Sequence, residues 1–182
     1  MMLKQITAVA AAAVVMMAAS PAIAATTTFS VTLNGASEAT PNASPAMGLG
    51  LVTFNDVALT MTVNELYFGL TGGPVTGSHL HCCTAVAGTG TAPVVVDFMS
   101  SGFPTTLSGN FDFTFTLSPT TFATLAAGAA AGRAYLNIHN ATFPGGEIRG
   151  FLVATAVPEP GTYALMVAGL AGIGFLSRRR RA

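Results

Sequence analysis

The chain has 182 residues and no net formal charge, and its 8% of charged side chains against 51% hydrophobic ones exclude a disordered or solvating polymer. The neutrality is an average, because Lys4 and Arg178–Arg181 lie at the two ends. The stretch Ala25–Val157 keeps Arg133 and Arg149 against Glu38, Asp56, Glu65, Asp97, Asp112 and Glu147, two charges against six, which excludes a phosphate backbone as partner.

In chain order, Lys4 gives a positive start, Ile6–Ala19 an apolar core, and Pro21-Ala22-Ile23-Ala24 an Ala-x-Ala cleavage site. This is the pattern of a secretory signal peptide over residues 1–24, so the mature chain is expected to begin at Ala25. Phe29, Val31 and Leu33 alternate with polar residues and predict a half-buried strand that stops at the turn signal Asn34-Gly35. Leu49–Phe54 and Ala58–Val63 predict a hairpin across Asn55-Asp56, with Leu66–Leu70 continuing the second strand. Val75–Cys82 and Val94–Phe98 are further strand candidates, separated by a Gly/Thr-rich loop. Phe111, Phe113, Phe115 and Leu117 alternate with Asp112, Thr114 and Thr116 and read as core. Ser118-Pro119 combines an N-cap residue with proline at the first helical position and opens a short helix to about Ala127. Arg133–His139 and Glu147–Val153 close the domain, and Ala154–Val157 is read as a linker. Short alternating runs rich in Thr, Val and Phe predict an all-β fold, an antiparallel β-sandwich (Ig-like or related) with one short helix, over residues 25–156.

Residues 157–182 have a different composition. Val157-Pro158-Glu159-Pro160 breaks the chain, an uncharged run to Leu176 follows, and Arg178-Arg179-Arg180-Arg181 ends it. A helix over the apolar run would be about 25 Å long against a hydrocarbon core of about 30 Å, a gap that snorkelling arginines and local thinning close. The arginines resist translocation and stay cytoplasmic. This arrangement resembles the PEP-CTERM sorting signal of bacterial surface proteins. The resemblance implies export, a temporary inner-membrane anchor through a C-terminal transmembrane helix, and cleavage near Pro158-Glu159-Pro160 by an exosortase-type membrane protease. The product would then stand at the cell surface or outside the cell, where extracellular polysaccharide or a surface protein is the expected partner.

Three histidines are present, and their spacing is regular. His79 and His81 are two apart on one predicted strand and share a face, with Leu80 on the other. On the strand ending at His139, Tyr135 and Asn137 share the histidine's face, opposite Ala134, Leu136 and Ile138. Imidazoles on neighbouring strands suit zinc or copper, with Cys82, Glu147 or water as a fourth ligand. The alternative is structural: histidines bonded to loop carbonyls and carboxylates, with Glu147 and Arg149 fixing the closing hairpin. Cys82 and Cys83 are the only cysteines. Their Cα atoms are about 3.8 Å apart across a trans peptide, short of the ~4.4–6.8 Å usual in disulfides. A vicinal disulfide, an intermolecular link, a metal-bound thiolate and two free thiols all remain open.

The stretches Leu33–Glu38, Ser78-His79-Leu80-His81, Ala134-Tyr135-Leu136-Asn137-Ile138-His139 and Pro144-Gly145-Gly146-Glu147-Ile148-Arg149-Gly150 together resemble the CHRD domain, the module named after chordin. The resemblance implies an extracellular β-rich module, marks Asn137, Glu147 and Arg149 as part of its structural motif, and carries no enzyme activity with it. No Gly-x-Ser-x-Gly, phosphate loop or paired carboxylates are found, so the chain is expected to be a binding or structural protein and not an enzyme.

Overall fold

A computed structural model describes residues 26–155 and, in the C-terminal segment, Met166, Val167, Gly169, Leu170 and Ile173, which are helical and exposed. The signal peptide, Val157–Pro160 and Arg178–Arg181 lie outside the described residues. Among the described residues no helix is long and apolar enough to cross a membrane.

The strands are β1 (Thr26–Asn34), β2 (Met47–Asn55), β3 (Thr60–Phe68), β4 (Val75–His81), β5 (Val94–Asp97), β6 (Gly109–Thr116), β7 (Tyr135–Asn140), β8 (Ile148–Phe151) and β9 (Val153–Ala154), with helix α1 (Pro119–Ala130) between β6 and β7. They form one antiparallel sheet in the order β5-β4-β7-β8-β1-β2-β3-β6, with β9 also on β1. The all-β expectation with one short helix therefore holds. Two separate sheets do not form: the sheet is continuous and curls into a half-barrel.

The curl has a local cause. Asn34 pairs with Arg149, and Ser30 and Phe29 pair with Val153 and Ala154, so β8 and β9 run along β1 in a single register. Between these points lies Gly150, whose backbone comes so close to the Thr32 carbonyl that an added Cβ would collide with it. A bare backbone there lets the two halves of the sheet bend towards each other.

The inner faces share one core. β1 contributes Phe29, Val31 and Leu33, β3 contributes Met61, Val63 and Tyr67, and the other half contributes Leu80, Leu136, Ile138 and Ile148. The connection from β5 to β6 carries the chain from one sheet edge to the other. It fills the open end with Phe98, 5.4 Å from Phe111, and Phe103, stacked on Tyr67 at 5.3 Å between ring centres. Helix α1 closes the remaining side through Leu125 and through Phe122, which packs edge-on against Phe54. Its start follows the sequence, since Ser118 accepts a hydrogen bond from the Thr121 amide and Pro119 leads the helix.

Two local expectations change. Phe111 is buried, but Phe113 is 38% exposed and Phe115 only half-buried, because β6 is an edge strand that overhangs the shared core. Ala154 is not linker: it pairs with Phe29, and the Thr155 amide donates to the Thr28 carbonyl. The turn expected at Asn34-Gly35 is there, with Asn34 capping a short 3-10 turn, Gly35–Ser37. Within the core, Glu65 is buried and both its oxygens lack partners, so burial pushes its carboxyl up to about 8 and it is protonated at neutral pH.

A Gly150→Ala substitution is expected to cost about 1–3 kcal/mol, as overpacking against a backbone that cannot yield does. Urea denaturation checks this, and an unchanged midpoint would contradict the close approach of β8 and β1.

Candidate metal centre

The register of three strands builds the site. His79 lies opposite Asn137, and His81 opposite Tyr135, while Gly77 lies opposite His139. Directly opposed residues share a face, so all three histidines project from the outer surface of β4 and β7 while Leu80, Leu136 and Ile138 point into the core. Gly77 leaves room here, since a Cβ at that position would press on the His79 ring.

The ring centres of His79 and His139 are 5.0 Å apart, those of His79 and His81 5.6 Å, and those of His81 and His139 6.2 Å. One ligand nitrogen from each ring lies within 4.8 Å of the others. Among the described residues, these three side chains are the group of His, Cys, Asp and Glu able to share an ion.

Two loops orient the rings. His81 Nδ1 is 2.9 Å from the Ala92 carbonyl, and His139 Nδ1 is 3.1 Å from the Pro144 carbonyl. A carbonyl can only accept, so both Nδ1 atoms carry the proton and both Nε2 atoms present lone pairs. His79 Nε2 faces Asp97 Oδ1 at 3.8 Å, across the β4–β5 pairing. The nitrogens left over, His79 Nδ1, His81 Nε2 and His139 Nε2, are buried without a hydrogen-bond partner. Two of the three rings, His81 and His139, thus have one nitrogen tied to a backbone carbonyl, the outer-shell support that metal-binding histidines commonly have.

Burial holds all three rings below the usual histidine range. For His79 it outweighs the opposing pull of Asp97. For His81 the nearby His79 and Arg149 add to it against the bond to Ala92. For His139 it brings the value to about 4, with His79 adding to it. The rings are therefore neutral at physiological pH, which is the metal-binding form.

The other expected residues divide. Cys82 is not brought to the histidines. It alternates to the opposite face from His81, is disulfide-bonded to Cys83, and packs with it beside Gly128 and the Thr124 carbonyl of α1. A disulfide sulfur offers no thiolate. Glu147 is also elsewhere. Its carboxylate accepts from the Ser44 hydroxyl at 2.6 Å, the Thr71 amide at 2.7 Å, the Thr71 hydroxyl at 2.9 Å, the Gly72 amide at 3.2 Å and the Asn140 side-chain amide. Burial pushes this carboxyl up, but these bonds outweigh it and hold it below the usual glutamate range.

Arg149 is buried in the outer layer. It donates to the Ser37 and Gly90 carbonyls and lies over the rings of Tyr135, at 5.0 Å, and Phe151, at 5.4 Å. Tyr135 in turn stacks on His81, with centres 4.6 Å apart. Asn137 donates to the Gly145 carbonyl and, with Glu38, crowds the space beside Gly146, where φ is +125°. Glu38 is buried, and desolvation raises its carboxyl to about 7 against the lowering pull of Arg149. The sequence reading missed Asp97, Glu38 and the orienting carbonyls of Ala92 and Pro144. Only the β4–β5 register and the loop paths reveal them.

Removing the Glu147 carboxylate would strand several buried donors that it now satisfies. A Glu147→Ala variant is expected to lose about 3 kcal/mol or more of stability. Equal stability in guanidinium titration would contradict its role as the anchor of the closing hairpin.

The model of the CHRD domain matches residues 29–152, which span β1 to the end of β8 and hold all three histidines. The PEP-CTERM protein-sorting motif matches residues 156–181 and marks the chain for exosortase-dependent sorting to the cell surface. No curated protein and no solved structure matches the chain. With most of its length covered by that first match, the chain belongs to the CHRD domain family and carries a PEP-CTERM sorting motif behind the domain.

Proposed function

We propose that this is an exported binding module whose histidine face takes up one zinc or copper ion through His79, His81 and His139. The observations that support it most are the three imidazoles from two adjacent strands with a ligand nitrogen of each within 4.8 Å of the others, and the buried nitrogen without a partner that each ring carries. Each unsatisfied buried polar atom costs on the order of 1–3 kcal/mol, and a shared ion relieves all three together. A purely structural role accounts for the Nδ1 atoms of His81 and His139, which hold loop carbonyls. It gives no reason for three imidazoles to cluster this closely.

In this reading the domain is held at the inner membrane by its C-terminal segment, processed by an exosortase-type protease, and delivered to the surface. There it serves by binding, to metal and to extracellular polysaccharide or a surface protein, rather than by catalysis.

The metal reading is tested by elemental mass spectrometry on the exported protein purified without chelators. About one zinc or copper per chain is expected from a single three-histidine site, lost in a His79→Ala/His81→Ala variant. A metal-free protein that also fails to take up added zinc or copper would refute it. The sorting reading is tested by fractionation after deletion of Arg178–Arg181. Loss of membrane retention or of processing is expected, and unchanged fractionation would count against the anchor.

A further inference from the structure

We infer that Glu38 and Asn137 form a proton-operated latch: as a neutral acid, Glu38 donates its O–H to Asn137 Oδ1, and the pair holds the Pro144-Gly145-Gly146 loop over β7. The latch needs no metal on the histidines.

Two buried oxygens lack partners here, Asn137 Oδ1 and Glu38 Oε1. A Cβ on Gly146 would lie 2.4 Å from the first and 2.6 Å from the second, so both line the same small gap. Two lone pairs facing one gap repel, and a proton between them turns that repulsion into a bond. Asn137 does not supply it, since its Nδ2 donates to the Gly145 carbonyl at 3.5 Å. Glu38 can. The residue is 5% exposed, and burial outweighs the Arg149 charge and the hydrogen bonds from the Ala39 backbone and the Asn137 side chain, bringing the carboxyl to about 7.

Once ionised, Glu38 has no proton to give and draws donors instead. Asn137 Nδ2 and the Arg149 guanidinium are the groups that favour its charge. Asn137 then turns from Gly145 to the carboxylate, and the loop loses that tie. The same loop carries the Pro144 carbonyl that fixes His139 Nδ1, so Glu38 and Asn137 are positioning residues for the histidine face. Because the folded carboxyl sits above its ordinary 4.5, the latch is closed in acid and opens as pH rises through about 7. Facing Glu38 are Arg149 from β8, which stays charged, and Asn137 from β7. Along the same face, His79, His81 and His139 are all held below the usual histidine range. Glu65 is raised to about 8, but from the core face of β3. Global stability therefore mixes the two glutamates, and a local signal separates them.

The test is NMR on the exported, chelator-treated protein, with ¹³C in the glutamate carboxyls and ¹⁵N throughout, from about pH 5 to about pH 9. Glu38 is expected to titrate with a midpoint near 7, and the Gly145, Gly146 and Asn137 side-chain amide signals to move with it. In Glu38→Gln, whose amide donates to Asn137 Oδ1 at every pH, those signals are expected to stay at their acid positions while Glu65 still titrates. A Glu38 midpoint in the ordinary glutamate range would overturn the inference, and the wild-type protein alone decides that. So would glycine and Asn137 signals indifferent to Glu38, or a step near neutrality that survives in Glu38→Gln.

Discussion

The antiparallel register of β4 on β7 is the constraint on which the rest depends. With Leu80 opposite Leu136 and Ser78 opposite Ile138, the aliphatic side chains of both strands enter the core. The same register forces His79, His81 and His139 onto the other face. A one-residue slip of β4 would turn His79 and His81 into the core and Leu80 out of it, so the hydrophobic effect that folds the domain also assembles the histidines. The loops then finish the work, because the Ala92 and Pro144 carbonyls fix which nitrogen of His81 and His139 is free.

Around this register the fold behaves as one bent sheet. Gly150 allows β8 to lie against β1 without a side chain between them, and the connection from β5 to β6 returns Phe98 and Phe103 to the opposite edge. Glu147 and Arg149 lie on either side of Ile148 and gather different loops. The carboxylate gathers Ser44, Thr71, Gly72 and Asn140, while the guanidinium gathers the Ser37 and Gly90 carbonyls. Both draw distant loops onto the strand pair that carries the histidines, so the rigidity of the site comes from charged groups satisfied by local donors and acceptors.

Much of this was legible in the residues. Period-two alternation located each strand from β1 to β8, and Ser118-Pro119 marked the start of α1. Alternation alone also separated Leu80 from its flanking histidines. It did not tell a continuous sheet from two stacked ones, because closure depends on the meeting of β8 and β1, far apart in the chain, at a glycine with no pattern of its own. It overstated the phenylalanine stripe, since the period gives a side but not the depth of cover at a sheet edge. It also left Cys82 beside the histidines in sequence, whereas strand geometry sends its sulfur to the helix. Asp97 was invisible as a neighbour of His79, because a short apolar run does not reveal the register in which it pairs.

The export machinery and the histidine face belong together in a simple way. The sorting motif directs the domain to the cell surface, where its three neutral imidazoles would meet whatever metal ions that environment holds. The most direct measurement is a crystal structure of the domain grown with zinc or copper, with anomalous scattering recorded at the metal edge. A single strong peak at about 2.0–2.1 Å from one ring nitrogen each of His79, His81 and His139 is expected. A fully occupied crystal form with no peak there, or with the metal held only by surface carboxylates, would contradict the account.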